Sequence, residues 1–240
     1  MSSFEKRCSV WVEPIRTGRR RPESLRELAK RYGELRTLIN GRIDEFRGRW
    51  RLGEEAVFAE MCFCLLTPQS SAIRGLNAVC RLEAEGLLRT GTRDQVEERL
   101  VAEGVRFADS KASYIIRNRE VFMEGDGNSL VETLGLDEPD TKATRRRVRE
   151  MVLGFGPKEA THFLRNIGVA LGSGMAILDR HIQRELVRFG YLESAPRNLS
   201  NEKNYETLEQ AMRQLSRDSG VPMDELDLLV WANRTGIILK

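Results

Sequence analysis

The sequence predicts an all-α protein. Residues 54–67 (EEAVFAEMCFCLLT) form an almost wholly apolar run of helical length, which indicates a buried central helix. Residues 25–39 repeat apolar side chains at helical spacing after Pro22 and Ser24, which are typical of a helix start. No segment shows sustained alternation of apolar and polar residues. Only Cys8–Val12 resembles a strand, and it is too isolated to define a sheet.

Further helices are predicted where apolar residues recur at helical spacing between glycine and proline breaks. A length of 240 residues allows one large domain or two small ones that share a core. The basic segment 1–20 and the loop 191–201 are the clearest breaks, and neither is long enough to mark a linker. The predicted helices cover residues 70–82, 110–123, 141–152, 157–167, 179–189, 202–216 and 222–233.

Positive charge is concentrated in two places, although the formal net charge is only +3. Residues 1–52 carry 14 Lys and Arg against 7 Asp and Glu, and four arginines lie within 145–149. Such clusters indicate an anionic partner, with phosphates as the first candidate. A solvated helix face is an equally good interpretation of either cluster alone. We expect residues 1–20 to form a mobile basic arm.

The four cysteines do not have the spacing of a zinc or iron–sulfur site. Cys62 and Cys64 lie in the apolar run, and Cys8 and Cys80 complete the set. We expect buried free thiols in a reducing cytosol, and no metal. The first residues lack a signal-peptide core, and no apolar run approaches the ~18 residues of a membrane span. A cytoplasmic protein without membrane contact is therefore expected.

The stretch at 153–168, LGFGPKEATHFLRNIG, joins two of the predicted helices. Gly154, Phe155 and Gly156 predict a tight turn, and Pro157 suits the first position of the next helix. Phe155 can fill the apolar gap between the helices, while the glycines allow backbone N–H groups to approach a phosphate beside a positive helix end. The pattern resembles the helix-hairpin-helix of DNA-binding proteins, which holds duplex backbone without reading bases.

Lys158 opens the second helix of this hairpin, and Asp179 starts a helix after a glycine-rich loop at 168–174. This order resembles the helix-hairpin-helix DNA glycosylase superfamily, whose members with lysine at this hairpin position are bifunctional. Two plainer interpretations stay open. Lys158 can be a phosphate contact, and Asp179 can be an ordinary helix N-cap. The loop also lacks the proline often found before the aspartate in that superfamily.

The chemistry of both residues suits the resemblance. A lysine amine is a nucleophile only when unprotonated, and a positive helix end with apolar neighbours favours the neutral form. The resemblance implies that Lys158 attacks C1′ of the deoxyribose, expels the damaged base and forms a Schiff base before β-elimination. Asp179 would stabilise the cationic transition state. His181 and Arg184, on the helix that Asp179 starts, are further candidate DNA contacts.

Two more segments point to particular relatives. LLTPQSSA at 65–72 resembles the segment of endonuclease III-like glycosylases in which a glutamine fills the gap left by a flipped base, so Gln69 is the candidate wedge. An exposed turn residue is the plain alternative. GVRFADSKASYI at 104–115 and DELDLLVWANRTGIILK at the C-terminus resemble the archaeal-type, second-class 8-oxoguanine DNA glycosylase/lyase.

That resemblance implies a set of base-recognition residues. The family ends at a lysine that reaches the flipped oxidised base, and Lys240 is the last residue here. Phe107 and Trp231 match aromatic positions that stack on the purine, and Asp227 matches a polar position that accepts a base N–H. In a helix such as this one, Trp231 could equally be a core residue.

The resemblance implies a bifunctional base-excision repair enzyme that acts as a monomer on double-stranded DNA containing 8-oxoguanine, near the nucleoid and without a cofactor. It covers residues 35–240, which would form two helical subdomains, and leaves residues 1–34 as a basic arm with the first helix. Two alternatives stay open: a glycosylase for another oxidised base, and a non-catalytic helix-hairpin-helix DNA-binding protein.

Overall fold

The computed structural model describes residues 8–125, 129–196, 198–199 and 201–240. These residues form twelve α-helices and one two-stranded antiparallel sheet, which confirms the all-α prediction. The helices are α1 (Leu25–Phe46), α2 (Glu54–Leu66), α3 (Ala72–Ala84), α4 (Leu87–Thr90), α5 (Arg93–Ala102), α6 (Ala108–Phe122), α7 (Leu130–Leu134), α8 (Thr141–Met151), α9 (Pro157–Asn166), α10 (Arg180–Arg188), α11 (Glu202–Ser219) and α12 (Met223–Thr235), and the strands are β1 (Ile15–Arg16) and β2 (Ile237–Ile238).

Every predicted helix is present, with ends shifted by a few residues. Three helices were not predicted, namely α4, α5 and α7, because they carry little apolar periodicity. α4 and α7 span four and five residues, and α5 buries only Val96 and Leu100. The start of α5 is set instead by a capping box, in which Thr92 and Gln95 each satisfy the other's backbone N–H.

The chain divides into two compact units. The first comprises the residues up to Trp11 together with Gly48–Phe155, and the second comprises Val12–Arg47 and Gly156–Lys240. Two helical subdomains were predicted. They were placed within residues 35–240, and α1 runs across that boundary, from Leu25 to Phe46. One change of unit falls inside the hairpin, between Phe155 and Gly156.

The first unit is organised around α2. Every residue from Val57 to Leu66 is buried, and the helix contacts α3 and α6. A helix that is apolar on all sides must be covered on all sides, which is why it lies at the centre. Glu60 is the charged exception, and its carboxylate lies 3.4 Å from the Arg49 guanidinium. Pairing is the usual condition for burying a charge.

The second unit has a continuous core formed by α1, α10, α11 and α12. Leucine and isoleucine from all four helices fill it, and Tyr205 of α11 is fully buried among them. The Tyr205 hydroxyl is satisfied, because it donates to the Ala176 carbonyl at 3.1 Å and lies 3.3 Å from Thr161 Oγ1. This core supports both α9 and the loop that precedes α10.

The prediction of a mobile basic arm is wrong for residues 8–20. β1 pairs with β2, with Ile15 opposite Ile238 and Arg16 opposite Ile237. The arm continues along the same segment, because Thr17 N donates to the Gly236 carbonyl at 2.8 Å. The strand also lies at 15–16 rather than at 8–12, where the sequence pattern placed it. Its partner is more than 200 residues away in sequence, so no local pattern reveals the pairing.

The cysteine prediction is correct for one pair and wrong for the other. Cys62 and Cys64 are buried thiols, and burial raises the pKa of Cys62. Cys8 and Cys80 instead form a disulfide across 72 residues of sequence. It joins the first described residue of the arm to α3. A separation this long leaves no spacing motif by which sequence alone would identify the pair.

Among the described residues, no helix combines the length and the apolar character needed to cross a bilayer.

Candidate active site

The turn between α8 and α9 has one position at which only glycine fits. Gly154 has a φ of +92°, and a Cβ there would lie 2.6 Å from Tyr114 Cδ2 and 3.0 Å from Leu65 Cδ2. Phe155 is buried. The Gly156 N–H, predicted as a phosphate donor, donates to Glu159 Oε2 at 3.2 Å. The N–H that was predicted to bind phosphate is therefore already bonded to a carboxylate from the first turn of α9.

Lys158 is the second residue of α9, and its side chain is 19% exposed. Its Nζ lies 2.9 Å from Glu159 Oε1. The Glu159 carboxylate thus holds the Lys158 amine with one oxygen and the turn N–H with the other. This arrangement fixes the predicted nucleophile at the N-terminal end of the helix, with a proton acceptor within hydrogen-bond distance.

Lys158 and Lys240 both influence the titration of one buried residue, His162. This residue follows Lys158 by one helical turn and is 6% exposed. Burial lowers the His162 pKa well below its ordinary value, and the positive charges of Arg165, Lys158 and Lys240 lower it further. The predicted nucleophile and the predicted base reader therefore both act electrostatically on the same buried imidazole.

Asp179 is the N-cap of α10. Its Oδ1 accepts hydrogen bonds from His181 N at 2.7 Å and from Ile182 N at 2.9 Å. Both bonds use the same oxygen, and in the described part of the chain Oδ2 has no hydrogen-bond partner. The two interpretations of Asp179 are thus compatible, because Oδ1 caps the helix while Oδ2 can face a ligand. The side chain is half-buried, which limits screening of its charge by water.

The glycine-rich loop before Asp179 is held by side chains of α11 and α12. Asp227 Oδ2 accepts from Ile177 N at 2.8 Å, and Asp224 accepts from Gly172 N. Tyr205 donates to the Ala176 carbonyl. These bonds fix three points of a segment that lacks the stiffening proline of the wider superfamily. They also explain how a loop with several glycines can present one aspartate in a defined place.

A buried ion pair lies behind this loop. Arg165 Nη1 is 2.8 Å from Asp227 Oδ1, and the two side chains are 2% and 3% exposed. The Arg165 guanidinium also lies 5.3 Å from the ring centroid of Phe46. Burial raises the Asp227 pKa to about 6, against the opposing effects of Arg165 and the Ile177 N–H; Asp179 adds a smaller upward contribution. Asp227 thus lies within electrostatic range of the predicted catalytic carboxylate.

The segment 236–240 is docked in the second unit. Ile238, Leu239 and Lys240 are 0%, 0% and 7% exposed. Trp231, in α12, is half-buried. Asp227 was predicted to accept a base N–H; in the structure each of its oxygens already has a protein partner, Arg165 or the Ile177 N–H.

The remaining predicted residues lie in the first unit. Gln69 and Phe107 are its candidate DNA residues, and both have a left-handed backbone, with φ of 55° and 59°. They are the two non-glycine residues with positive φ in the described ranges. Phe107 is 54% exposed and Gln69 is exposed. Backbone strain of this kind costs about 1–3 kcal/mol and clusters at functional sites.

Lys111 holds the loop that carries Gln69. This lysine of α6 is 5% exposed, and its Nζ donates to the carbonyls of Leu66 at 2.9 Å and Pro68 at 2.8 Å. Ser70 Oγ lies 3.2 Å from the same amine and accepts from Arg106 N at 2.9 Å. One network thus connects the backbone beside Gln69 with the backbone beside Phe107.

The other two predicted DNA contacts lie on α10. Arg184 is exposed, whereas His181 is half-buried and its Nδ1 has no hydrogen-bond partner in the described chain. No group of three or more His, Cys, Asp or Glu among the described residues could hold a metal ion. The second unit contains the two predicted catalytic residues together with Asp227, Trp231 and Lys240.

Comparison with known proteins identifies the family of the chain. A family model described as 8-oxoguanine DNA glycosylase matches residues 39–221. The chain belongs to the 8-oxoguanine DNA glycosylase family. A Fusobacterium nucleatum relative named 8-oxoguanine DNA glycosylase/AP lyase is 35% identical, over 91% of this chain and 98% of its own. A Methanocaldococcus jannaschii relative of the same name is 35% identical, over 86% and 94%.

Solved structures of this family share the fold. The Methanocaldococcus jannaschii 8-oxoguanine glycosylase/lyase, in complex with a 15mer DNA containing 8-oxoguanine, has a TM-score of 0.76 at 32% identity. The match covers 89% of this chain and 99% of that one. The 8-oxoguanine DNA glycosylase of Thermotoga maritima has a TM-score of 0.78 at 29% identity, over 90% and 98%.

Sequence reasoning missed the residues that support the site. Glu159 and His162 both lie within residues 153–168. The spacing of four residues places His162 on the same helix face as Lys158, whereas Glu159 follows Lys158 directly and spacing does not predict their contact. Arg165 and Lys111 carry no such signal. Their partners lie 62 and about 45 residues away in sequence, so only the folded chain identifies them.

The Asp227 carboxyl gives a pH-dependent stability that can be measured. Its pKa is about 6 in the folded protein against an ordinary 3.8, so the folded state binds this proton more tightly than the unfolded chain does. As pH rises from about 4 to 6, the unfolded chain loses the proton first, and this group lowers the free energy of unfolding by on the order of 2–3 kcal/mol.

Asp227→Asn cannot ionise and should lack this fall. Urea titrations of both proteins at several pH values would measure it. We expect the difference in free energy of unfolding, wild type minus variant, to decrease between pH 4 and 6 and then level off. Parallel pH profiles for the two proteins would contradict the assignment.

Proposed function

We propose that this protein excises 8-oxoguanine from double-stranded DNA and cleaves the resulting abasic site, with Lys158 as nucleophile. One observation carries the proposal: Lys158 lies in the first turn of α9 with its amine 2.9 Å from the Glu159 carboxylate, in a chain of the 8-oxoguanine DNA glycosylase family. Relatives covering most of its length are named 8-oxoguanine DNA glycosylase/AP lyase. We also propose that a monomer acts.

The reaction begins at the Lys158 amine. The neutral amine attacks C1′, and the C1′–N9 bond breaks with its electron pair leaving on the base. The sugar ring then opens to an imine between C1′ and Nζ. Loss of a C2′ proton expels the 3′ phosphate by β-elimination, and water releases the sugar from lysine. The amine must lose a proton first, and Glu159 Oε1 at 2.9 Å is the proposed acceptor.

Asp179 would act through its charge. Positive charge develops on the sugar as the base leaves, and a carboxylate fixed beside it stabilises that state without reorganising. The N-cap bonds to Oδ1 hold the group rigid and leave Oδ2 for the sugar. The backbone that presents Asp179 is held in turn by Asp227 and Tyr205.

Base recognition is proposed for segment 236–240, here called the tail, and for the aromatic residues. Oxidation turns guanine N7 from an acceptor into an N–H donor and adds an oxygen at C8. The Lys240 ammonium can donate to that oxygen, and Trp231 offers a ring for stacking; for Phe107 the same role is proposed from the sequence resemblance. Asp227 can accept the N7 proton only through a second lone pair, since Arg165 and Ile177 use both oxygens. Gln69, His181 and Arg184 would contact the duplex.

The nucleophile is tested by covalent trapping. Lys158→Gln should abolish the borohydride-trapped complex on 8-oxoguanine duplex while retaining most DNA affinity, because phosphate contacts are spread over the surface. A panel of duplexes with other oxidised bases, run on the wild type, separates the alternatives. Trapping on a different lesion alone would indicate another substrate. No trapping on any duplex would indicate a non-catalytic DNA-binding protein.

The carboxylate is tested by Asp179→Asn, which keeps the size and the capping ability of the side chain but removes its charge. We expect the excision rate to fall by about 10²–10³, the usual effect of losing one preorganised electrostatic group. Single-turnover kinetics on 8-oxoguanine duplex measure the rate, and circular dichroism checks the fold. A near-normal rate in a folded variant would leave Asp179 as a structural cap.

The lesion reader is tested by Lys240→Gln. Since an unmatched buried polar group costs ~1–3 kcal/mol, we expect 8-oxoguanine excision to fall roughly 5- to 150-fold. Cleavage at a pre-formed abasic site should change little, because no base is left to read. Trp231 and Asp179 stay in place, which makes abasic-site cleavage the internal control. Equal losses on both substrates would show that Lys240 supports the fold or the chemistry rather than recognition.

A further inference from the structure

The segment that carries Lys240 is held by a strand from the other end of the chain. β2 ends two residues before Lys240, and its whole length is paired with β1. Beyond the pair, the Thr17 and Gly18 N–H groups donate to the Gly236 carbonyl at 2.8 and 3.2 Å. Arg20 N donates to the Asn233 carbonyl at 3.0 Å. A pair of two-residue strands is only marginally stable by itself, so other contacts must hold β1 and β2 in place.

Two arginines of α1 supply that placement. Arg31 Nη2 donates to the carbonyls of Thr17 at 2.6 Å and Gly18 at 3.2 Å, on one side of β1. Arg42 Nη2 donates to the Glu13 carbonyl, on the other side. Both arginines are buried, at 9% and 1% exposure. Their eleven-residue separation spans about 16 Å of helix, which matches about 16 Å for five residues of extended chain.

Arg31 contacts both the end of α12 and the arm that pairs with β2. Its Nε lies 3.4 Å from Asn233 Oδ1, close to the end of α12, while Nη2 holds the arm that pairs with β2. A guanidinium can bond several acceptors at once in one fixed plane, which an ammonium cannot do. The hydrogen bonds are largely shielded from water, so losing the donor leaves backbone carbonyls without a partner.

We propose that Arg31 is a positioning residue for lesion recognition, because it fixes the arm, and the arm fixes the segment that carries Lys240. The inference rests on the proposed role of Lys240 as lesion reader. It assigns to residues 13–18 a function in substrate selection, in addition to the general DNA affinity that the basic composition of residues 1–20 suggests. Arg31 touches neither substrate nor nucleophile in this assignment and acts through the position of Lys240.

The first experiment compares two substrates for Arg31→Gln. We expect 8-oxoguanine excision to fall at least about tenfold, while cleavage of a pre-formed abasic site stays within about twofold. Arg26→Gln is the matched control, because it removes the same charge from an exposed position of the same helix. Arg31→Lys keeps the positive charge but not the planar guanidinium with its several donors, so it should restore little of the 8-oxoguanine excision. Equal losses on both substrates, or a loss equal to that of Arg26→Gln, would overturn the assignment.

The second experiment combines Arg31→Gln with Lys240→Gln. If Arg31 acts through Lys240, the double variant should excise 8-oxoguanine no more slowly than Lys240→Gln alone. If the losses in excision rate of the two single variants multiply in the double variant, Arg31 acts independently of Lys240. That result would refute the inference while leaving the reader role of Lys240 intact. If Lys240→Gln alone has no effect, the reader role fails, and the inference fails with it.

Thr17→Pro provides a second route if Arg31→Gln does not fold. It removes the N–H that donates to Gly236 and leaves the α1 arginines in place. We expect the same selective loss of 8-oxoguanine excision, again without effect in the Lys240→Gln background. Wild-type excision by folded Thr17→Pro, confirmed by a cooperative thermal transition, would show that the arm does not position the tail.

Discussion

The buried pair of Arg165 and Asp227 joins three parts of the site. Arg165 lies on α9, the helix that carries Lys158; Asp227 lies on α12, the helix that leads into the tail; and Asp227 also bonds the backbone two residues before Asp179. A buried pair of this kind is weak as a source of stability but costly to break on one side only. Its role here is to fix the positions of α9 and α12, since neither helix can shift without leaving a buried charge unpaired.

The fold could be predicted from the sequence, and candidate reacting groups could be proposed from it, because both kinds of signal are local. An apolar run of helical length identified α2, and a turn followed by Pro157 identified the start of α9. Lys158 and Asp179 were proposed as reacting groups from their places relative to a turn and a helix start. What could not be predicted is held by distant partners: the β1–β2 pairing, the Cys8–Cys80 disulfide and the Lys111 network each join residues about 40 or more positions apart.

The two units use the same device for different purposes. In the first, buried Lys111 bonds backbone carbonyls around the strained Gln69. In the second, Arg31 and Arg42 bond backbone carbonyls around β1. In each case a cation on a rigid helix orders an irregular segment that would otherwise sample many conformations. The enthalpy of charge-assisted hydrogen bonds offsets the conformational entropy lost by the segment.

The clamp on the arm has a consequence for how the sequence can change. Arg31 and Arg42 bond main-chain carbonyls of the arm, and main-chain atoms are common to all residues. The side chains of Arg16 and Arg20 are exposed, so they can be exchanged without altering these bonds. The region matched by the family model, residues 39–221, contains neither the arm nor the tail. Mutational drift, or deliberate charge engineering, could thus tune how the arm meets a polyanion while the path of its backbone stays the same.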